Sequence, residues 1–558
     1  ISELAGRLVQ FQADESALQR KYAEPLSEVH FKRFQSFWND NLADLRSVDF
    51  DSLSTSGKVD YALLQEKLTY SLEKQRQERE KDLRAIQLIP GCRELVKLLE
   101  RHEQDHSLSG KSVAETFAKA NAMLAELPES LTYLRDQDPA DIEKSVRFDA
   151  LRAAENVDRL RRRLKSLNTF YDGYDPEFTW WVKQPFKDLD ASLFAHGEML
   201  RKNILGVPSS DRETIIGQPI GQDALQLELQ HQLIPYTPQE LIALAQRQFA
   251  WCDREMLRAS QEMGFGDDWK TAQEKVKDQY VAPGKQPDLI RELAIEAADF
   301  LEARDLITIP PLARESWRMQ MMSAQRQRVS PYFLGGEQII VSFPTDGMTH
   351  AEKLMSMRGN NPHFSRATVH HELIPGHHLQ QFMTQRYRPD RRLFSTPFWL
   401  EGWALYWEMR LWDLDFPRSP EDRVGMLFWR KHRCARIIFS LNYHLGKMTP
   451  QECIDFLVDR VGHERRNATA EVRRSVMAGY GPLYQAAYML GGLQILSLHK
   501  DLVESERWTE KQFHDRILRE GSIPVTALKA ILDDQPPGKN GFPPWRFIED
   551  LDEASPDQ

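Results

Sequence analysis

Residues 369–381 read Val-His-His-Glu-Leu-Ile-Pro-Gly-His-His-Leu-Gln-Gln, and four of the chain's 16 histidines fall at positions 370–378. Even scatter over 558 residues would place fewer than one there. Four imidazoles and a carboxylate in an otherwise apolar segment need partners, because burying a polar group is costly unless it is paired. A divalent cation is such a partner. Zinc takes imidazole nitrogens and carboxylate oxygens, and a catalytic zinc site keeps one position for water. The metal acidifies that water and an adjacent glutamate accepts its proton, a role open to Glu372.

The familiar form of this device is HExxH on a helix, with both histidines on one face. Here Pro375 stands four residues after His371, and the next imidazoles are His377 and His378. On a regular helix a six-residue step rises about 9 Å and a seven-residue step about 10.5 Å. Zinc–nitrogen bonds of about 2.0–2.1 Å cannot bridge either. If two of these histidines share a metal, the helix must break between them. Pro375-Gly376 is where it can, since proline lacks the N–H and glycine tolerates unusual backbone angles.

A third ligand is expected on a following helix. In Ser-Thr-Pro-Phe-Trp-Leu-Glu-Gly-Trp (395–403), Thr396 suits an N-cap and Pro397 the first helical position. Glu401 then falls in an aromatic-rich turn, where a carboxylate is rarely left unpaired. Glu408, seven residues on, is the alternative.

HELIPGHHLQ followed by EGWALY resembles the HExxPGHH signature of a large bacterial family of unknown function, whose members are often described as lipoproteins. That family is similar to the glutamate-zincin metallopeptidases, among them thimet oligopeptidase, angiotensin-converting enzyme and the carboxypeptidase from Thermus. Those relatives read HExGH, and dipeptidyl peptidase III reads HExxGH; this chain is expanded by two. The resemblance implies His377 rather than His378 as the second ligand. It also implies peptide hydrolysis by a mainly helical, two-lobed fold around a deep cleft. Gly481-Pro482-Leu483-Tyr484-Gln485-Ala486-Ala487-Tyr488-Met489-Leu490-Gly491 is similar to the family's QxxxYxxG segment, one residue shorter. It implies Tyr488 as donor to the oxyanion of a tetrahedral intermediate, with Tyr484 one helical turn earlier. A phenol can serve in that role. Arg473 and Arg474 just upstream could hold a substrate carboxylate, but such a pair is more often solvated and no role is assigned to them. A periplasmic or lipoprotein setting follows from the same resemblance, with the cytoplasm left open. The chain opens at Ile1 rather than Met, so it is expected to be processed or trimmed.

The elements that must position these groups read as helices. Apolar residues at a spacing of three to four run through the first 205 residues, as in Tyr61, Leu64, Leu68 and Leu72. Turn residues cluster at 171–176 and 205–222. The expected division is an N-terminal helical lobe, 1–205, and a catalytic lobe, 206–558, unless the two form one continuous domain. Helices are expected at 238–263 and 287–304 and again from 350 to 530. A small β insert lies between, with strands at Leu306–Pro310 and Gln338–Phe343, the second behind a loop at 331–336. The basic run Arg159–Arg163 reads as a solvated helix face. The tryptophans, Trp180-Trp181 and the four between 399 and 412 included, read as core. The four cysteines are too scattered for a disulfide framework and read as small buried hydrophobes.

Net charge is −10, so the basic footprint of a nucleic-acid-binding protein is missing. No apolar run is long enough to span a membrane. The expected function is a zinc-dependent peptidase: His371, His377 and Glu401 hold Zn2+, Glu372 is general base, Tyr488 meets the oxyanion, and the partner is a peptide substrate. A zinc esterase or non-peptide amidase would use the same site. A helical binding protein with a structural metal is the remaining class.

Overall fold

The structure, a computed structural model, describes residues 2–328, 330 and 332–552; Pro331 of the expected loop lies outside them. Helices dominate, with two short strands among the described residues. The chain divides into two compact units. One is Val9–Asp49 with Leu64–Gly217, and the other is Ile1–Leu8, Phe50–Leu63 and Gln218–Gln558. The division is not a single cut along the chain. The segment Phe50–Leu63 belongs with the histidine cluster's unit, where buried Asp60 takes Arg391 Nε at 2.8 Å and Arg388 Nη2 at 3.0 Å.

The first unit is all helix around its own core. Lys144–Tyr171 lays Ala150, Ala153, Val157, Leu160, Leu164 and Leu167 along one buried stripe, packed with Val113, Phe117, Phe178 and Leu189. That stripe is the three-to-four spacing read in three dimensions. Two expectations change here. The basic run is not simply solvated: Arg161 Nε meets Asp190 Oδ1 at 2.8 Å, and Arg163 pairs with Glu103. Trp180 is not core but 75% exposed, because Pro176–Met199 turns Phe178 and Val182 inward instead.

The second unit carries a two-stranded parallel sheet, β1 Arg318–Met321 and β2 Gln338–Val341, with Arg318 opposite Gln338. Leu306–Pro310 is not a strand. Its polar groups are taken by a helix: the Asp515 carboxylate accepts Thr308 N and Oγ1, and Leu306 O accepts from His514. Pro310 and Pro311 then offer no N–H to a ladder. The true partner, Arg318–Met321, lacks the β-branched residues that mark a strand. Behind β2, Ile339 and Val341 pack on Val369 and Leu373 and on Ile290, Leu293 and Ala294. The sheet thus backs the segment that holds His371.

Six helices build the site: α1 Pro362–Glu372, α2 His377–Tyr387, α3 Pro397–Asp413, α4 Pro420–His444, α5 Arg465–Met477 and α6 Tyr484–His499. Helix α3 is buried on nearly all sides, with Trp399, Trp403 and Trp407 fully enclosed. It crosses α6 so closely that a Cβ on Gly402 would stand 2.6 Å from the Gly491 backbone. All four cysteines are free and buried. No helix among the described residues is long and apolar enough to cross a membrane.

Candidate metal centre and its surroundings

Asn361 caps α1, its Oδ1 accepting from His363 N and Phe364 N at 3.0 Å, and Pro362 takes the first helical position. The helix stops at Glu372. Leu373 leaves the helical region at φ −110°, ψ −105°, Pro375 has no N–H to give, and α2 begins at His377. Gly376 N donates to His370 O at 3.0 Å and His378 N to Leu373 O at 3.1 Å, so the break is closed by its own hydrogen bonds. A Cβ at Gly376 would overlap the His371 carbonyl. This fold-back replaces the expected rise of two helical turns and brings the His371 and His377 rings to 4.9 Å, nearly perpendicular.

Helix α3 delivers the carboxylate. Thr396 caps it by accepting from Phe398 N at 3.2 Å, and Trp403 Nε1, about two turns on, holds the broken loop by donating to Pro375 O at 2.8 Å. Glu401 Oε2 lies 3.0 Å from His377 Nε2 and 3.5 Å from His371 Nε2. The three donor atoms lie within 4.8 Å of one another, and all three residues are buried. Tetrahedral ligands bonded at about 2.0–2.1 Å stand about 3.4 Å apart, so this donor set fits zinc with one position left over.

The alternative acid, Glu408, stands behind the group. His371 Nδ1 donates to Glu408 Oε1 at 2.6 Å, and Arg433 Nη2 donates to the same oxygen at 3.3 Å. That fixes the imidazole so that Nε2 faces Glu401, the arrangement in which an outer carboxylate orients a metal-binding histidine. Burial opposes charging His371, but the hydrogen bonds to Glu401 and Glu408 outweigh it and hold its pKa up at about 9. Burial also works against an ionised Glu408, yet Arg433 and His371 bring it down to about 2. The two carboxylates thus favour positive charge on the imidazole between them.

Glu372 is half-buried and its carboxylate has no hydrogen-bond partner among the described residues. Burial raises its pKa above the ordinary carboxyl range, against the pull of His371 and His377. Gly336 N donates to Glu372 O at 3.2 Å, and a Cβ on Gly335 would overlap the Glu372 carboxylate. The other two histidines face elsewhere. His378 Nε2 donates to Ala313 O at 2.6 Å, and His370 sets its edge against Phe416, with neither nitrogen hydrogen-bonded among the described residues.

Helix α6 brings both tyrosines close. Tyr488 is buried with its ring stacked on His371, 6.1 Å between centroids, and flanked by the Arg433 and Arg436 guanidiniums at 4.6 and 4.4 Å. Tyr484, half-buried, donates its hydroxyl to Glu401 Oε1. Sequence reasoning missed Arg433 and Arg436, Glu408 as the outer partner of His371, and Gly335 against Glu372. The signal for the first was present: Lys-His-Arg-Cys-Ala-Arg (431–436) places basic residues three apart inside an apolar helix.

No curated protein matches the chain. Several solved structures share its fold. A "putative lipoprotein of unknown function" from Shewanella oneidensis is 16% identical, covers 95% of this chain and 100% of its own, and superposes with a TM-score of 0.68. A "putative lipoprotein" from Colwellia psychrerythraea is 15% identical, with 96% and 99% covered and a TM-score of 0.60. Residues 12–532 match the family described as "Bacterial protein of unknown function (DUF885)", and the chain belongs to that family.

Proposed function

We propose that this chain is a zinc-dependent hydrolase, and specifically a peptidase. The observation that carries the reading is the buried His371–His377–Glu401 group with the unpartnered Glu372 carboxylate beside it. His371, His377 and Glu401 would hold the metal, which supplies an acidified water as nucleophile. Glu372 takes the proton from the attacking water and passes it toward the leaving amine. Glu408 and Arg433 keep His371 in one tautomer and orientation. A phenol of α6 donates to the oxyanion as the carbonyl becomes tetrahedral.

The motif resemblance favours Tyr488 as that phenol. The hydrogen bond from Tyr484 to Glu401 favours Tyr484 as a second reading. Peptide rather than ester or lactam substrates are favoured by the likeness of HELIPGHH and EGWALY to glutamate-zincin motifs. The lipoprotein neighbours support work outside the cytoplasm. A structural-metal binding protein fits less well, since closed structural zinc sites usually contain cysteine and this group has none. The test is a panel of fluorogenic peptides, esters and lactams with metal-loaded and chelated protein. Metal-dependent cleavage of peptides alone supports a peptidase; cleavage of esters or lactams alone makes it another zinc hydrolase, and no cleavage of any class contradicts the reading.

A further inference from the structure

Beside the candidate metal centre lies a set of three buried guanidiniums, of which only Arg433 serves the metal-binding histidine. Arg433, Arg436 and Arg474 are 5%, 2% and 8% exposed. Against them stand two buried carboxylates, each engaged through Oε1 and with Oε2 not hydrogen-bonded among the described residues. Glu408 serves Arg433 and His371, and Glu471 Oε1 takes Arg436 Nε at 2.7 Å. The Arg474 side chain has no hydrogen bond and no ion pair among the described residues, its Nε is buried without an acceptor, and the Glu471 carboxylate acts on it only at longer range. Its guanidinium lies against two rings of the neighbouring segment, 4.8 Å from Tyr480 and 5.7 Å from Tyr484. A buried guanidinium offers five N–H donors in a planar fork that matches a carboxylate. Leaving it unpaired is expensive.

The place of this cation relative to the metal centre sets what it can hold. A single phenol separates them: Tyr484 receives Arg474 against its ring and gives its hydroxyl to Glu401. Once a guanidinium–carboxylate contact is set at one end, the remaining gap has room for about one to two extended residues, each about 3.3–3.6 Å. The same rings reach the surface, Tyr480 being 39% exposed and Tyr484 half-buried.

We infer that Arg474 anchors the C-terminal carboxylate of a peptide whose last or penultimate bond lies at the metal centre. The inference rests on the hydrolase reading above and narrows it to an exopeptidase that removes one or two residues from a free C-terminus. Arg433 and Arg436 add to the positive field, while their own carboxylates and the Tyr488 ring hold them in place.

Binding tests the anchor separately from catalysis. Zinc-loaded Glu372→Gln protein is titrated by calorimetry with N-acetyl-trialanine and with its C-terminal amide. The acid is expected to bind about 10- to 100-fold tighter, the range of a charge-assisted pair. Adding Arg474→Gln should bring the two ligands within about threefold, and Arg474→Lys, which keeps the charge but loses the fork, should fall between. Metal content and helical circular dichroism identify a misfolded variant, and the acid-to-amide ratio of the Arg474-intact protein needs no Arg474 variant at all. Equal binding of acid and amide, binding of neither, or a full ratio kept in Arg474→Gln overturns the inference. If the parent binds the acid preferentially yet cleaves no peptide, the anchor stands and the hydrolase reading fails. Equal cleavage of acid and amide substrates by the parent overturns the anchor and leaves the hydrolase intact.

Discussion

Two buried clusters in the same unit each hold two histidines and a glutamate, and they differ in what the imidazoles face. At His371, His377 and Glu401, two ring nitrogens converge on one carboxylate oxygen, and the outer nitrogen of His371 is fixed by Glu408. In the second cluster, His463 spends one nitrogen on Tyr332 at 2.8 Å and the other on His432 at 2.9 Å. His432 Nε2 is 3.8 Å from Glu471, whose oxygen belongs to Arg436. Burial, with Arg436 and its neighbours, keeps His432 far below its ordinary pKa and His463 at about 3, whereas His371 is held at about 9. Histidine and glutamate content alone therefore does not make a cation site. The glutamate must be offered to the imidazoles rather than to a guanidinium.

The strongest test of that contrast is chemical. Glu372→Gln keeps the shape but removes the base, so turnover should fall by about 100- to 10,000-fold with metal content unchanged, read by kinetics beside elemental analysis. Activity within threefold of the parent would remove Glu372 from the mechanism. Next come the tyrosines. Losing one oxyanion donor costs about 2.7–4 kcal/mol, so Tyr488→Phe should lower kcat by about 100- to 1,000-fold with KM and zinc nearly unchanged. The same loss in Tyr484→Phe alone would move the role one turn along α6, and no loss in either would make that helix a packing element. Glu408→Gln should weaken metal affinity by about 10- to 100-fold, as loss of an outer partner does, measured by competition with a chromogenic chelator.

The break between α1 and α2 was legible in the sequence because its cause is local. Pro375 and Gly376 announce where the helix must open, and the distance between His371 and His377 demands it. Thr396 and Pro397 likewise mark the start of α3 before any tertiary contact is known. What the sequence did not yield depends on contacts between distant segments. Leu306–Pro310 has strand composition, but Asp515, some 200 residues on, takes its polar groups. Arg318–Met321 has no strand signal and pairs only because β2 lies beside it. Glu408 read as a spare ligand because one-dimensional spacing cannot show that it meets the far nitrogen of His371. Trp180 and Trp181 read alike, yet their helix turns the first to solvent.

The smallest expected effect falls on the second cluster and sharpens the contrast from that side. His463→Ala strips partners from Tyr332 and His432, costing about 1–3 kcal/mol of stability while leaving metal content intact. Burial keeps His463 unprotonated in the folded chain down to about pH 3, whereas an exposed imidazole titrates near 6.5. The unfolded chain therefore takes up a proton that the folded chain refuses, and this group's contribution to stability falls as pH drops from about 6.5 toward 3. His463→Gln should flatten that part of the melting-temperature profile, and an unchanged slope would show that the histidine is not held neutral.

Zinc stoichiometry across both clusters tests the central claim most directly. Zinc-reconstituted, desalted parent protein should carry one zinc per chain. His371→Ala, His377→Ala and Glu401→Ala should each lose it, while Glu372→Gln, His378→Ala and His463→Ala keep it. A parent without zinc, or full zinc in His377→Ala or Glu401→Ala, would contradict the account.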